Sequence, residues 1–77
     1  MRPMIVPGDI RQVCVDWMCI INEYELTELL TGDTVCIIAV NIAVDSTYYV
    51  RAISATHMYE VRINVSARAV DVLFGAQ

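Results

Sequence analysis

Three cysteines, one histidine and a run of three glutamates are the residues whose chemistry a reader would test first. Cys14 and Cys19 are five apart, so on a regular strand they point to opposite faces and cannot share a metal or a bridge. Cys36 could meet one of them across strands, but the chain lacks the CxxC or Cys–His spacing of a zinc site. Buried free thiols acting as small hydrophobes are the favoured reading. His57 is the single candidate base. A nucleophile such as Cys36 or Ser54 would need it together with an orienting carboxylate, and no spacing supports that triad. Glu23, Glu25 and Glu28 do not follow the Asp and Gly spacing of a calcium loop and read as a solvated face. There is no phosphate loop and no dinucleotide fingerprint. The expectation is a protein without catalysis, cofactor or metal.

The elements that would have to position such groups are strands. From Tyr59 the odd positions Tyr59, Val61, Ile63, Val65, Ala67 and Ala69 are apolar, whereas Glu60, Arg62, Asn64, Ser66 and Arg68 are polar. Strict alternation of this kind marks a pleated strand covered on one side. Tyr48 to Thr56 precedes it, with a reversal at His57-Met58, so 48–70 reads as a long hairpin. Thr34 to Val44 is apolar on both faces, as expected of a strand that is central or covered by a neighbouring subunit. Asp45-Ser46-Thr47 is the turn out of it. Ile10 to Ile21 is a first strand, with Val13, Val15, Trp17, Cys19 and Ile21 on one face. Trp17 is the expected centre of the core.

Two stretches read less simply. Asn22 to Gly32 carries a capping-box pair, Asn22 and Glu25, and Leu26, Leu29 and Leu30 would share one side of a short helix near 23–31. Tyr24, Leu26 and Leu30 also fit a strand; local propensity favours the helix. Residues 1–9 form an extended arm, because Pro3 and Pro7 forbid both helix and ladder donation. The domain proper is then 10–77. The arm's Met4 and Ile5, and the apolar tail at Leu73 and Phe74, are candidates for docking on another chain, or for fraying and packing back respectively.

Composition narrows the class. The chain has 77 residues, 57% of them apolar and 18% charged, with a net charge of −4 and no lysine. So small a domain cannot hide that much apolar side chain, which points to homo-oligomeric or other obligate contacts. The acidic balance argues against a phosphate-neutralising nucleic-acid surface. Residues 1–45 hold seven acids against Arg2 and Arg11, whereas 46–77 hold Glu60 and Asp71 against Arg51, Arg62 and Arg68. That asymmetry suits contact between the acidic edge of one copy and the basic edge of another. The start, MRPMIVPGD, is broken by prolines and lacks the apolar core of a secretory signal. The run Val35 to Val44 is too short for a membrane helix.

The order of short motifs carries a resemblance. A strand ends in Asp16-Trp17, Gly32-Asp33-Thr34-Val35 opens another, Ser46-Thr47-Tyr48-Tyr49-Val50 follows, and a long alternating strand closes the chain. Over roughly residues 9 to 70 this resembles the small immunoglobulin-like β-sandwich proteins of tailed bacteriophages, the fibre–tail adaptor type. The chain departs from that pattern in its longer gap from Trp17 to Gly32 and in having Val44-Asp45 before Thr47. The resemblance implies an antiparallel β-sandwich and a structural virion protein, a tail or neck adaptor with tail, neck or fibre subunits as partners. A capsid decoration or cement protein and a cellular homodimeric β regulatory module are the alternatives. The expected contact residues are Glu60, Arg62, Asn64 and Arg68 on the polar face, with Met4, Ile5, Leu73 and Phe74 supplying apolar contacts.

Overall fold

The computed structural model describes residues 4–23 and 25–76. Six strands appear in chain order: β1 (Ile10–Gln12), β2 (Trp17–Asn22), β3 (Glu25–Leu29), β4 (Thr34–Ile42), β5 (Thr47–Ser54) and β6 (Glu60–Ser66). A 3-10 turn (Ala67–Ala69) then leads into a short helix, α1 (Val70–Phe74). All pairings are antiparallel, in one sheet of order β1-β4-β5-β6-β2-β3. The all-β expectation holds. The strands form one continuous sheet, and its order does not establish the two-sheet immunoglobulin-like arrangement.

Strands β1 and β2 are consecutive in sequence yet stand first and fifth in the sheet. A flat sheet would hold them about 19 Å apart, more than the roughly 17 Å that the extended steps from Gln12 to Trp17 span. The sheet therefore curls, and past Gln12 the chain stays bonded to the turn between β3 and β4. Val13 N–H donates to the Asp33 carbonyl at 2.7 Å, and Gly32 N–H donates to the Val13 carbonyl at 2.8 Å. Gly32 sits at φ 96°, where a side chain would strain the turn.

Curling encloses the inner face. Val35 and Ile37 of β4, Val50 and Ala52 of β5, Val61, Ile63 and Val65 of β6, Cys19 and Leu29 are all buried there. In β5 and β6 the burial alternates residue by residue, as the sequence pattern demands. Trp17 is not the centre of this core. It is half-buried at the margin, with its indole N–H donating to the Asn64 carbonyl at 3.2 Å.

The doubly apolar strand has a simple cause. A bulge between Ile37 and Ala39 shifts the β4–β5 register, so Val35 and Ile37 face inward before it and Val40 after it. Both parities of the strand thus contribute to one face, and no cover on both sides is needed. The two flanking turns sit where the sequence places them. Ser46 (φ 68°) and Met58 (φ 65°) adopt left-handed backbone that neither turn provides a glycine for.

The short helix expected near 23–31 is instead the hairpin β2–β3; residue 24 lies outside the described residues. Two turns of isolated helix are unstable in water, whereas a strand over 25–29 fills the backbone edge of β2 that faces away from β6. The pair read as a capping box closes the hairpin: the Asn22 side-chain amide donates to Glu25 Oε1 at 3.0 Å.

Beyond Ser66 the strand does not run on to Val70. Val70, Leu73 and Phe74 are spaced i, i+3, i+4, a helical period, and all three are buried. The tail is locked by Cys14 N–H donating to the Leu73 carbonyl and by the Arg11 guanidinium donating to the Gly75 carbonyl, both at 2.7 Å. Of the arm expected over 1–9, residues 1–3 lie outside the described residues. The remainder is tied into the domain: Ile5 is fully buried, and Gly8 N–H donates to the Ile37 carbonyl at 2.8 Å.

Candidate functional site

The outward-facing residues of the curled sheet fall into rows set by strand register. Ile10, Cys36, Ile53 and Glu60 form one row. Ala39, Arg51, Arg62, Ile20 and Leu26 form the next. Asn41, Tyr49 and Asn64 form a third. Between the second and third rows lies a groove of about 330 Å³, lined by Ile20, Asn41, Tyr49, Val50, Arg51, Arg62 and Asn64.

Its chemistry is one-sided. Arg51 and Arg62 stand directly opposite each other on neighbouring strands, and like charges so placed destabilise a sheet by about 0.2–1 kcal/mol. Glu60 relieves Arg51 only loosely, at 3.8 Å between half-exposed side chains, a pair of little energetic weight. Arg62 has no ion-pair partner among the described residues. The lining adds two amides and a phenol and contains no carboxylate. Such a groove can take an anionic group, held by two guanidiniums.

The expected contact residues are distributed unevenly. Arg62 and Asn64 line the groove, and Glu60 flanks it through Arg51. Arg68 lies on the 3-10 turn past the end of β6 and is not among the residues lining the groove. Met4 is exposed, but Ile5, Leu73 and Phe74 are inside the core, so the folded chain does not offer them to a partner. Sequence reading missed Arg51, Asn41 and Tyr49. The parity of β5 exposes the signal for two of them: Tyr48, Val50, Ala52 and Ser54 point in, so Tyr49 and Arg51 point out.

A second polar cluster surrounds His57. Ser54 Oγ is 2.9 Å from His57 Nδ1 and accepts from the His57 backbone N–H at 3.2 Å. Thr27 Oγ1 lies 3.1 Å from Nε2, and the ring meets Tyr59 edge-on at 5.5 Å. The turn therefore does bring Ser54 to the histidine, through an i, i+3 spacing visible in the sequence. The position that would orient a catalytic imidazole is held by a threonine hydroxyl, and Ser54 is fully buried. The cluster pins the β5–β6 turn to β3. Thr56 reinforces the same end by donating to Asp33. Replacing His57 by alanine is expected to destabilise the fold by about 1–3 kcal/mol, because it leaves a buried hydroxyl without its ring partner. The urea midpoint at constant slope measures this, with Ser54→Ala expected to cost less.

The cysteines divide. Cys19 is buried, and burial pushes its thiol up, aided by the charge of Asp33. Cys14 and Cys36 are exposed, which corrects the expectation of three buried thiols; all three are free. No group of three or more His, Cys, Asp or Glu that could hold a metal occurs among the described residues. Two aspartates serve turns. The Thr31 backbone N–H and hydroxyl, at 2.8 and 2.9 Å, hold Asp16 below the usual carboxylate range, and Thr47 N–H does the same for Asp45. Among the described residues no helix is long and apolar enough to cross a membrane.

The fold defines the class as a small antiparallel all-β domain with a basic groove on its outer face. Comparison with known proteins finds no matching family model, no matching curated protein and no matching solved structure.

Proposed function

We propose that this chain is a non-catalytic structural subunit of a tailed-phage virion, a tail or neck adaptor that joins other virion proteins through protein–protein interfaces. The observation that carries the interface reading is the outer sheet face. It sets the groove of Arg51 and Arg62 among exposed apolar side chains, with Ile10 72%, Leu26 66% and Ile53 45% exposed. Apolar surface interleaved with arginine and tyrosine is what a contact surface is made of. The virion setting, and the tail or neck position within it, rest on the likeness of the motif order over residues 9–70 to the fibre–tail adaptor type.

The test is to purify particles made from the genome that encodes the chain and to quantify it by mass spectrometry in separated tail and head fractions. Several copies per particle in the tail-bearing fraction are expected. Recovery with tailless heads alone would replace the adaptor reading with a decoration protein, and absence from every particle fraction would overturn the virion assignment.

A further inference from the structure

We infer that the arginine groove receives the acidic β2–β3 hairpin of a second copy of this chain, and that the exchange is reciprocal, giving a two-fold dimer. The inference rests on reading the outer face as a contact surface and names its partner.

Recognition starts with charge. The groove presents Arg51 and Arg62 side by side, flanked by the donors of Asn41, Asn64 and Tyr49, with no carboxylate in its lining. Its complement is an extended element bearing carboxylates. The hairpin is such an element, with Glu23 at its turn and Glu25 and Glu28 on β3, all exposed. Glu28 stands opposite Met18 and Leu26 opposite Ile20, so the hairpin also offers apolar side chains beside its charges. Leu26 then supplies apolar surface for Tyr49, itself 46% exposed. A carboxylate placed between the two guanidiniums removes the repulsion that the register imposes and makes charge-assisted hydrogen bonds.

Placement supplies the symmetry. Ile20 is at once a wall of the groove and the register partner of Leu26 on the hairpin. Giver and receiver are therefore neighbours on one surface, and a two-fold axis beside Ile20 lets each copy insert its hairpin while accepting the other's.

Sedimentation equilibrium of the full chain is the test, with circular dichroism confirming that each variant folds. The wild-type chain is expected to be a dimer whose dissociation constant rises with salt, as screening shortens from about 10 Å at 0.1 M to about 3 Å at 1 M. The double variants R51E/R62E and E23R/E28R, which leave the Asn22–Glu25 pair intact, should each weaken self-association by about a hundredfold or more. An equimolar mixture of the two should restore a dimer, since every contact again joins opposite charges. A monomeric wild type, undiminished association of either double variant, or a mixture that stays monomeric would overturn the proposal. Assemblies growing past the dimer would overturn its two-fold closure. None of these results depends on particle fractionation, so the dimer and the virion assignment fail separately.

Discussion

Phe74→Ala is expected to destabilise the folded chain by about 3–5 kcal/mol. A domain of this size has roughly 4–12 kcal/mol in total, so the variant should lose about a quarter or more of its stability. The reason lies in where the C-terminal segment goes. Val70, Leu73 and Phe74 all enter the core, and the backbone beside them is held by the bonds from Cys14 and Arg11. Deleting the ring leaves a void against strands that are tied together through the sheet and cannot collapse onto it. Val72→Ala is the control. It shares the helix but is 56% exposed, and a change of within about 0.5 kcal/mol is expected. Urea denaturation followed by Trp17 fluorescence separates the two. Equal, small effects would mean that the tail does not pack on its own domain.

The second large effect belongs to the other end. Ile5→Ala should cost about 2–5 kcal/mol, because Ile5 is fully buried although it lies in a segment with no regular secondary structure. Val6 N–H donating to Asp9 Oδ2 at 3.1 Å and Ile37 N–H donating to the Asp9 carbonyl at 2.8 Å set the path of the arm across β4. The loss should be independent of protein concentration. A midpoint that recovers as concentration rises would instead place Ile5 on a neighbouring copy, the docking arm that its sequence also allowed.

These two ends show what sequence reading could and could not resolve. Ile5, Leu73 and Phe74 are legible as apolar residues in flanking segments, but whether such a segment packs at home or on a partner depends on space left by the rest of the fold. That space exists because the sheet curls far enough for β1 and β2 to be joined by a short link. The β2–β3 hairpin is a similar case: Asn22 and Glu25 do bond to each other, yet the same pair closes a strand turn here and would cap a helix elsewhere. What decided between them was the unfilled hydrogen-bonding edge of β2, which no local propensity reports. The bulge in β4 explains a third departure. An apolar pattern on both parities is equally written by a strand covered twice and by a strand that changes parity once.

For the candidate site, parity was legible and juxtaposition was not. Alternation along 59–66 placed Arg62 and Asn64 outward, and the same reasoning along 47–54 places Arg51 outward. That Arg51 faces Arg62 follows only from the β5–β6 register, which the loop from Ala55 to Tyr59 sets through Met58 in left-handed backbone. A one-residue slip would pair Arg51 with a buried position and dissolve the groove.

The sequence alone thus specified an all-β domain, the two turns that flank β5, and the inward and outward faces of β6. Those properties follow from periodicity and composition, which act over a few residues. The tertiary structure alone decided that the terminal segments are core, that residues 25–29 are a strand, and that two arginines from different strands share one groove. Such outcomes depend on how far the sheet curls and on register between distant segments, and no window along the chain contains both partners.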